Sequence, residues 1–269
     1  MSKFKCIYNY HTHTSRCGHA HGTDEEYVVA ALEAGIKRLG FSDHVILPLI
    51  HEPWIRGEYE KLDDYLASCA ALKKKYAGKI EILTGFEAEY SKTYKDYYTE
   101  LLRSKKVDYL ILGQHCYFED DKGIFYFREI DNKEKVQRYA DDLCAGMESK
   151  LFKYVAHPDL FVTSLSKFDE FAKKISLQII KCAKKCSMPL EINLGGVRYP
   201  RGVKGGWLSD ICSYPYAPFW KLVKDFQVEI VIGVDAHWPT DFTDPKNDKI
   251  TEFISENKLK INEDYNILN

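Results

Sequence analysis

The segment Tyr8-Asn9-Tyr10-His11-Thr12-His13 is a short strand candidate that ends in two histidines. In an extended chain, residues two apart point to the same side, so both imidazoles would be directed at one point. Cys17, His19 and His21 follow within one loop. By itself this segment leaves two interpretations open, a metal site and a chance pair of ordinary histidines.

Further along the chain, apolar strand candidates repeatedly end in residue types that bind metal ions. These residues are Asp43 with His44, Glu87, His115, His157, and Asp235 with His237. In a parallel barrel, the carboxyl ends of the strands all lie on one face. Enzymes with this kind of barrel have their active sites on that face. Chance would instead scatter these residues over helices and over both ends of the strands. The repeated pattern therefore predicts one shared site.

Short apolar runs alternate with longer amphipathic segments. The strand candidates are Lys5–Tyr10, Arg38–Phe41, Ile80–Phe86, Tyr109–Gly113, Tyr154–Ala156, Pro189–Asn193 and Glu229–Gly233. The helix candidates are Asp24–Ala34, Asp63–Tyr76, Tyr94–Ser104, Lys133–Ser149, Phe168–Cys186 and Pro218–Phe226. Alternation of this kind predicts an α/β fold with a parallel sheet inside its helices, and about seven successive strands favour a barrel over an open sheet. The pattern leaves closure of the barrel open. No linker or low-complexity run interrupts the chain, so we expect one domain over residues 1–269.

The composition is that of an ordinary globular protein. The chain has 269 residues, 45% hydrophobic and 29% charged, with a formal net charge of −2. This balance gives no electrostatic footprint for a polyanion, so we expect no nucleic-acid partner. The N-terminal residues run into a strand candidate without an apolar signal region, so we expect a cytoplasmic protein with no membrane segment. Its eight cysteines would then remain thiols. The oligomeric state is left open.

The ligand-type residues indicate metal chemistry. Seven histidines with two or three acids are too many for one ion, because zinc takes about four ligands, so two or three ions are expected. Mixed histidine and carboxylate ligation suits zinc, iron or manganese. Neighbouring ions of this kind generate hydroxide at neutral pH and clamp a phosphorus centre. Phosphoester or amide hydrolysis is the expected reaction class.

The order of these motifs resembles the PHP (polymerase and histidinol phosphatase) metallo-phosphoesterases over nearly the whole chain. The matching motifs are His11-Thr12-His13, Asp43-His44, Gly85-Phe86-Glu87, His115, His157 and Asp235-Ala236-His237. Within that family, the bacterial histidinol-phosphate phosphatases are the most similar branch. The features shared with that branch are Cys17-Gly18-His19, Gly85-Phe86-Glu87-Ala88-Glu89-Tyr90, and Glu191-Ile192-Asn193 leading to Gly196-Val197-Arg198-Tyr199-Pro200.

This resemblance implies a distorted barrel of seven β/α units that holds a trinuclear divalent metal centre. His11, His13, Glu87 and Asp235 would hold the first ion, Glu87, His115 and His157 the second, and His19, His44 and His237 the third. A hydroxide bridging the first two ions would attack phosphorus. The third ion would hold the phosphate and stabilise the leaving oxygen. Glu87 and Asp235 are therefore expected to be catalytic as well as metal-binding.

The resemblance also implies the substrate, a small phosphate ester. It predicts hydrolysis of L-histidinol phosphate to L-histidinol and inorganic phosphate, a step of histidine biosynthesis. Arg198, on a glycine-rich loop, is the leading catalytic and phosphate-binding candidate because a guanidinium grips phosphate oxygens in a bidentate fork. Arg16 and Arg201 are weaker candidates. Tyr117 and Glu119 combine aromatic surface with an acid, which suits a cationic imidazole-amine, although their segment could equally be a hairpin packed on its own neighbours.

Two other functions remain open at this point. Another PHP activity, on nucleotides or nucleic-acid ends, is disfavoured by the charge balance. A non-catalytic protein with a structural metal centre would have closed coordination, whereas catalytic sites keep a position open for water. Among the remaining residues, His21 is expected outside the ligand set, His51 is expected to be structural, and Asp43 is expected either to orient an imidazole or to cap a loop.

Overall fold

The computed structural model describes residues 4–119, 123–127, 132–198 and 214–269. Four parallel strands form one part of a barrel wall. They are β1 (Tyr8–Asn9), β2 (Arg38–His44), β3 (Glu81–Ala88) and β4 (Tyr109–Leu112), paired in the order β1-β2-β3-β4. The register places His44 opposite Glu87, so two of the predicted ligands are neighbours across the β2–β3 pair.

The wall continues through a second parallel pair and closes on itself. Strands β7 (Leu190–Asn193) and β8 (Ile230–Gly233) pair in parallel. Val155 bridges β4 to β7, through Leu112 on one side and Leu190 on the other. Beyond β8, His13 N donates to the carbonyl oxygen of Ala236 at 2.9 Å, next to a parallel bridge between Thr12 and Ala236. The fold is therefore the predicted α/β barrel, with closure visible in the backbone hydrogen bonds.

The helices lie between strands of the wall, except for the last of them, which follows β8. Their bounds are α1 (Asp24–Glu33), α2 (Leu62–Lys75), α3 (Lys95–Arg103), α4 (Lys133–Ser149), α5 (Glu170–Cys186), α6 (Gly195–Arg198), α7 (Ala217–Asp225) and α8 (Lys249–Asn257). Thr23 caps α1 in a reciprocal capping box with Glu26. No helix among the described residues combines the length and the apolar character needed to cross a membrane.

The predicted strand Tyr154–Ala156 forms only isolated bridges, although it occupies the expected place in the ring. The segment after His115 is an antiparallel hairpin, with β5 (Cys116–Glu119) paired to β6 (Gly123–Tyr126). This hairpin is one of the two interpretations that the sequence left open for Tyr117 and Glu119. Helix α8 and the short helix α6 were absent from the sequence prediction.

Tyrosines fill much of the barrel interior. Tyr8, Tyr10, Tyr109 and Tyr154 are at most 2% exposed and pack in one cluster. The Tyr109 hydroxyl donates to the carbonyl oxygens of Tyr10 and Phe41 at 2.9 and 3.0 Å, so its polar end is satisfied inside the wall. A Cβ at Gly85 would lie 2.6 Å from the Tyr109 ring, and therefore only glycine allows this packing. The filled interior leaves the carboxyl ends of the strands as the open face.

Candidate metal centre

Glu87, at the end of β3, lies at the centre of the predicted ligands. Its side chain is 1% exposed, and its two oxygens lie between 2.7 and 3.5 Å from imidazole nitrogens. The histidines around it are His11, His13, His44, His115 and His157. The Glu87 carboxylate therefore contacts histidines that lie near β1, β2 and β4 and near the Val155 bridge.

Asp235 brings the last strand into the same group. Its Oδ1 lies 3.2 Å from His13 Nε2, 3.5 Å from His11 Nε2 and 3.4 Å from His237 Nδ1. Both His157 and Asp235 have a positive φ, of 32° and 53°. Non-glycine residues adopt this region at a cost of order 1–3 kcal/mol, and such residues cluster at functional sites.

A further cluster lies beside this pair of carboxylates. The ligand atoms of His19, His44 and His237 all lie within 4.8 Å of one another, as do those of His11, His13 and Asp235. The same limit holds for the group of His11, Glu87 and His157. All nine predicted ligands are thus brought together at the carboxyl ends of the strands.

Acids behind the ligands orient the imidazoles. His11 Nδ1 lies 2.9 Å from Glu191 Oε1, and His115 Nδ1 lies 3.2 Å from Glu89 Oε1. His19 Nδ1 lies 2.9 Å from the carbonyl oxygen of Cys17. With Nδ1 engaged in this way, Nε2 of each ring is the atom that could bind a metal ion. Glu191 and Glu89 were missed as site residues, although each is two residues from another polar residue on the same side of its strand.

Asp43 combines the two roles that the sequence left open for it. Its Oδ1 lies 3.5 Å from His13 Nδ1 and accepts the backbone N–H of His44 at 3.0 Å. Its other oxygen accepts the hydroxyl of Thr14. Asp43 therefore holds the loop after β1 against the end of β2 while facing a ligand imidazole.

The barrel wall leaves room for the central carboxylate. A Cβ at Gly113 would lie 2.0 Å from Glu87 Oε1, so a larger residue at the end of β4 would displace the Glu87 side chain. Glycine at this position is thus part of the site, because it allows the backbone at the end of β4 to approach the Glu87 carboxylate on the neighbouring strand β3.

The charges of the site suit cations. Burial alone would raise the pKa of Glu87, but the nearby His115 and His11 hold it well below its usual range. The pKa of Asp235 is likewise held low against burial by His11 and His13. Burial and the neighbouring His13 lower the pKa of His44 and of His237 well below the ordinary histidine value. The protein therefore presents ionised carboxylates beside the neutral imidazoles of His44 and His237, whereas neighbouring carboxylates raise the pKa of His11, His13 and His157 against the opposing effect of burial.

The ligand atoms themselves fit metal ions. Several buried atoms of the cluster have no hydrogen-bond partner within the described chain: His11 Nε2, His13 Nδ1 and Nε2, His44 Nδ1, Glu87 Oε2, His157 Nδ1 and His237 Nε2. An unsatisfied buried polar group costs about 1–3 kcal/mol, so a cluster of them calls for further partners. Mixed imidazole and carboxylate donors of this kind suit zinc and similar divalent ions.

Arg198 has a different place from the one predicted. Its side chain is fully buried, and its Nη2 donates to the carbonyl oxygens of Val234 and Asp235 at 2.5 and 2.9 Å. Nη1 donates to Asn247 Oδ1 at 3.1 Å, and Nε lies 3.3 Å from Asp241. These contacts correct the sequence interpretation: Arg198 fixes the turn that carries Asp235, and its guanidinium is turned into the protein instead of toward a phosphate.

Arg16 is also held by protein groups. Its guanidinium pairs with Asp24 at 2.9 Å and with Asp64 at 2.8 Å, so two carboxylates already compensate its charge. This pairing disfavours the predicted phosphate-binding role. The other weaker candidate, Arg201, lies outside the described residues.

Tyr117 and Glu119 lie in β5, directly after the His115 region. The Tyr117 ring stacks on Phe125 with centroids 5.3 Å apart, and the Arg138 guanidinium lies 5.1 Å from the ring centroid. Tyr117 therefore contributes to packing of the hairpin on α4. Its role in substrate binding stays a prediction, as does that of Glu119.

The two remaining histidines belong to none of the candidate ligand groups, although His21 N donates to the carbonyl oxygen of His237 at 2.8 Å. His21 stacks on Trp238 at 3.8 Å between centroids. His51 is exposed and pairs with Glu58 at 2.8 Å. Both placements agree with the expectation from the sequence.

Fold and site together define a class of protein: an α/β barrel with a polynuclear metal-ligand cluster at the carboxyl ends of its strands. The PHP domain model matches residues 9–195, more than half of the chain. The chain belongs to the PHP family, a family of metal-dependent phosphoesterases. The match ends before β8, whereas Asp235 and His237 lie beyond it.

Several known proteins similar to this chain are named histidinol-phosphatases. A "Probable histidinol-phosphatase" of Deinococcus radiodurans is 28% identical over 236 residues, which is 85% of either chain. The histidinol-phosphatase of Bacillus subtilis is 24% identical and covers 84% of this chain and 92% of its own. The histidinol phosphate phosphatase of Lactococcus lactis, solved with zinc, L-histidinol and phosphate, superimposes with a TM-score of 0.67 at 15% identity, covering 96% of both chains. That structural similarity confirms the fold.

Proposed function

We propose that this protein is a metal-dependent phosphomonoesterase that hydrolyses L-histidinol phosphate to L-histidinol and inorganic phosphate. The main observation behind the proposal is the cluster of unsatisfied imidazole and carboxylate atoms around Glu87 and Asp235. Membership of the PHP family and the histidinol-phosphatases among its relatives support the choice of reaction and substrate.

Three sets of side chains would hold the ions. Glu87 would contribute to two of these sites, one with Asp235, His11 and His13 and the other with His115 and His157. His19, His44 and His237 would hold a third. Zinc, manganese or iron bound there would supply hydroxide near neutral pH and compensate charge on the phosphate.

The remaining residues of the site orient the ligands and frame its mouth. Glu191 and Glu89 hold His11 and His115 so that their Nε2 atoms face Glu87. Arg198 fixes the turn that carries Asp235. At the surface, Trp54 is 65% exposed and its carbonyl oxygen lies 3.1 Å from His19 Nδ1. Its exposed indole offers an aromatic face to a cationic imidazole-amine.

The substrate claim is tested by steady-state kinetics on the protein loaded with zinc or manganese. We expect kcat/KM for L-histidinol phosphate to exceed that for p-nitrophenyl phosphate and for nucleoside monophosphates. Equal rates would contradict the assignment of histidinol phosphate while leaving a phosphomonoesterase. Preference for a nucleotide, or release of nucleotides from single-stranded ends, would support the other PHP activity.

The catalytic claim is tested with Asp235→Asn, compared with Asp225→Asn on the exposed end of α7. Asp235→Asn removes a charge that faces His11, His13 and His237. We expect at least about a 100-fold loss in kcat/KM with an unchanged circular dichroism spectrum, because the lost group acts in the reaction and not in folding. Unfolding of Asp235→Asn but not of Asp225→Asn would instead support a structural metal centre.

A further inference from the structure

Three thiols lie close together in the helix layer, away from the metal centre. Cys144 lies on α4, and Cys182 and Cys186 lie one turn apart on α5. Cys182 Sγ lies 3.7 Å from the carbonyl oxygen of Cys144, and Cys144 Sγ lies 3.9 Å from the carbonyl oxygen of Gln178. Each thiol thus reaches the backbone of the other helix, Cys182 at Cys144 itself and Cys144 one turn before Cys182. The two helices therefore present these thiols to one another across their interface.

Polar contacts on both sides fix the two helices in register at this point. One turn before the thiols, Gln178 Nε2 donates to Asp141 Oδ1 at 2.7 Å. One turn after them, Lys185 Nζ pairs with Glu148 Oε1 at 2.8 Å. The sequence numbers rise together along both helices, so α4 and α5 run parallel. This register keeps Cys144 and Cys182 opposite each other.

We propose that Cys144 and Cys182 form a reversible disulfide when the protein meets a peroxide. In the first step, the Cys144 sulfur attacks the peroxide O–O bond, which gives a sulfenic acid and, from hydrogen peroxide, one water. In the second step, the Cys182 sulfur attacks the Cys144 sulfur, the S–OH bond breaks, and a second water leaves with the Cys182 proton. The two thiols together lose two electrons and two protons, and the peroxide is reduced to two waters.

The surroundings assign the attacking role to Cys144. Cys144 is partly exposed, whereas Cys182 is 9% exposed. The neighbouring Cys182 thiol lowers the pKa of Cys144, and the neighbouring Cys144 thiol raises the pKa of Cys182. Peroxide reacts with the thiolate, so the more acidic and more accessible thiol reacts first.

Cys186 is the competing partner for Cys182, and geometry disfavours it. On one helix, Cβ atoms four residues apart are separated by about 5–6 Å. A disulfide requires a Cβ separation of about 3.5–4.5 Å. A bond between Cys182 and Cys186 would distort α5, whereas Cys144 and Cys182 lie on separate helices whose polar contacts hold the two residues opposite each other.

The test is mass spectrometry of the full-length, metal-loaded protein after treatment with hydrogen peroxide. Free thiols are blocked with iodoacetamide, and the protein is digested with trypsin without reductant. Cleavage after Arg138, Lys150, Lys181 and Lys184 places the two cysteines of α5 on separate peptides. We expect a disulfide that joins peptide Tyr139–Lys150 to peptide Cys182–Lys184, and its loss on treatment with dithiothreitol.

Cysteine variants provide the controls. Cys186→Ser should still form the crosslink, whereas Cys144→Ser and Cys182→Ser should not. Oxidation should also raise the melting temperature of the wild type and of Cys186→Ser, but not that of Cys144→Ser, because the crosslink restricts the unfolded chain. A disulfide to peptide Cys186–Arg198, a crosslink between two chains, or oxidation of Cys144 to a sulfinic acid without a disulfide would each overturn the proposal.

Discussion

Glu191 lies behind His11 at 0% exposure and contacts more than the ligand ring. Its Oε1 lies 2.9 Å from His11 Nδ1, and its Oε2 accepts the His157 backbone N–H at 3.2 Å and the Asn193 amide at 2.9 Å. One acid on β7 thus sets both the orientation of one predicted ligand and the backbone position of another. Residues of this kind bind no ion but determine how well the ligands are arranged.

Replacing Glu191 with glutamine is therefore expected to weaken metal binding by roughly 10- to 100-fold, the usual effect of losing a residue that orients a ligand. Glutamine keeps the size of the side chain, but its NH2 group would replace one of the two carboxylate oxygens. That group cannot accept a hydrogen bond and would face one of the donors that the oxygen now faces. Competition with a chromophoric chelator measures the affinity. Glu229→Gln, an exposed position just before β8, is the matched control and should bind metal as the wild type does. Equal affinity in both variants would contradict the orienting role.

Asp159 carries a charge that the fold disfavours. Burial raises its pKa from 3.8 to about 6, although the Tyr216 N–H and the Trp220 indole N–H both donate to its Oδ2. Because the folded state binds the proton more tightly than the unfolded state, this residue lowers stability as the pH rises from about 4 to about 6, and the full penalty remains above that range.

In the metal-free protein, Asp159→Asn should therefore be more stable than the wild type at pH 7.5, by on the order of 2 kcal/mol. Asparagine retains an acceptor for Tyr216 and Trp220 and carries no charge. Urea denaturation at pH 7.5 and at pH 4.5 measures the difference, which should shrink at the lower pH. A difference that is constant between the two pH values would show that the charge of Asp159 is not its cause.

At this scale the sequence predicts ligands better than it predicts charged partners. His115 and His157 could be assigned because each follows an apolar run, and the strand direction then determines where the side chain lies. Nothing local shows that the Arg198 guanidinium would reach the carbonyl oxygens of Val234 and Asp235, since that contact depends on how α6 packs on the end of β8.

At the scale of elements, Arg56 links the loop after β2 to two other parts of the fold. Its fully buried guanidinium pairs with Glu89 at 3.2 Å, just beyond β3, and with Glu52 at 3.0 Å in its own loop. Glu52 in turn accepts the Tyr126 hydroxyl of β6 at 2.6 Å. Burial disfavours the charge of Glu89, but Arg56 and His115 hold its pKa at about 2. The β5–β6 hairpin is thus connected to His115 through a chain of buried charges.

Arg56→Met should destabilise the protein by about 3–5 kcal/mol, because it leaves the Glu89 carboxylate buried without its main partner. The double variant Arg56→Met with Glu89→Gln should recover part of this loss, since the unpaired charge is then absent. Chemical denaturation of both variants and of the wild type gives the free energies of unfolding. A double variant less stable than Arg56→Met would contradict this account.

The sequence predicts these elements unevenly. Helix α4 lies at the predicted bounds, because Asn132 caps it and its apolar spacing is regular. The sequence could not distinguish the β5–β6 hairpin from a substrate-binding loop, since a short aromatic segment is compatible with either. Helix α8 carries a recognisable spacing in Ile250, Phe253 and Ile254, and that signal was overlooked.

At the scale of the molecule, the candidate ligands come from both ends of the chain and from most of the barrel wall between them, from the end of β1 to the turn after β8. Ions bound there stabilise the folded state because the unfolded chain has no such site. The alternation of strands and helices predicted the barrel, but its closure depends on pairing between residues near 12 and near 236, which no local pattern encodes.

Removal of metal should therefore lower the melting temperature of the protein. When the free ion concentration is 100 times the dissociation constant, binding stabilises the folded state by about 2.7 kcal/mol. A shift of several degrees in the melting temperature is therefore expected. Differential scanning calorimetry before and after treatment with dipicolinate measures it, and adding zinc back should restore the original value. No change on chelation of protein shown to have contained metal would contradict the proposed centre.

The backbone hydrogen bonds of Ala236 with His11 and His13 join the first strand segment to the last. With the metal centre proposed above, a newly made chain would not acquire its full complement of ions until synthesis had passed Asp235 and the ring had closed, whatever the order in which the earlier strands assemble. Metal uptake would then mark the end of folding, and a chain cut between β7 and β8 would keep several histidines yet hold its ions poorly.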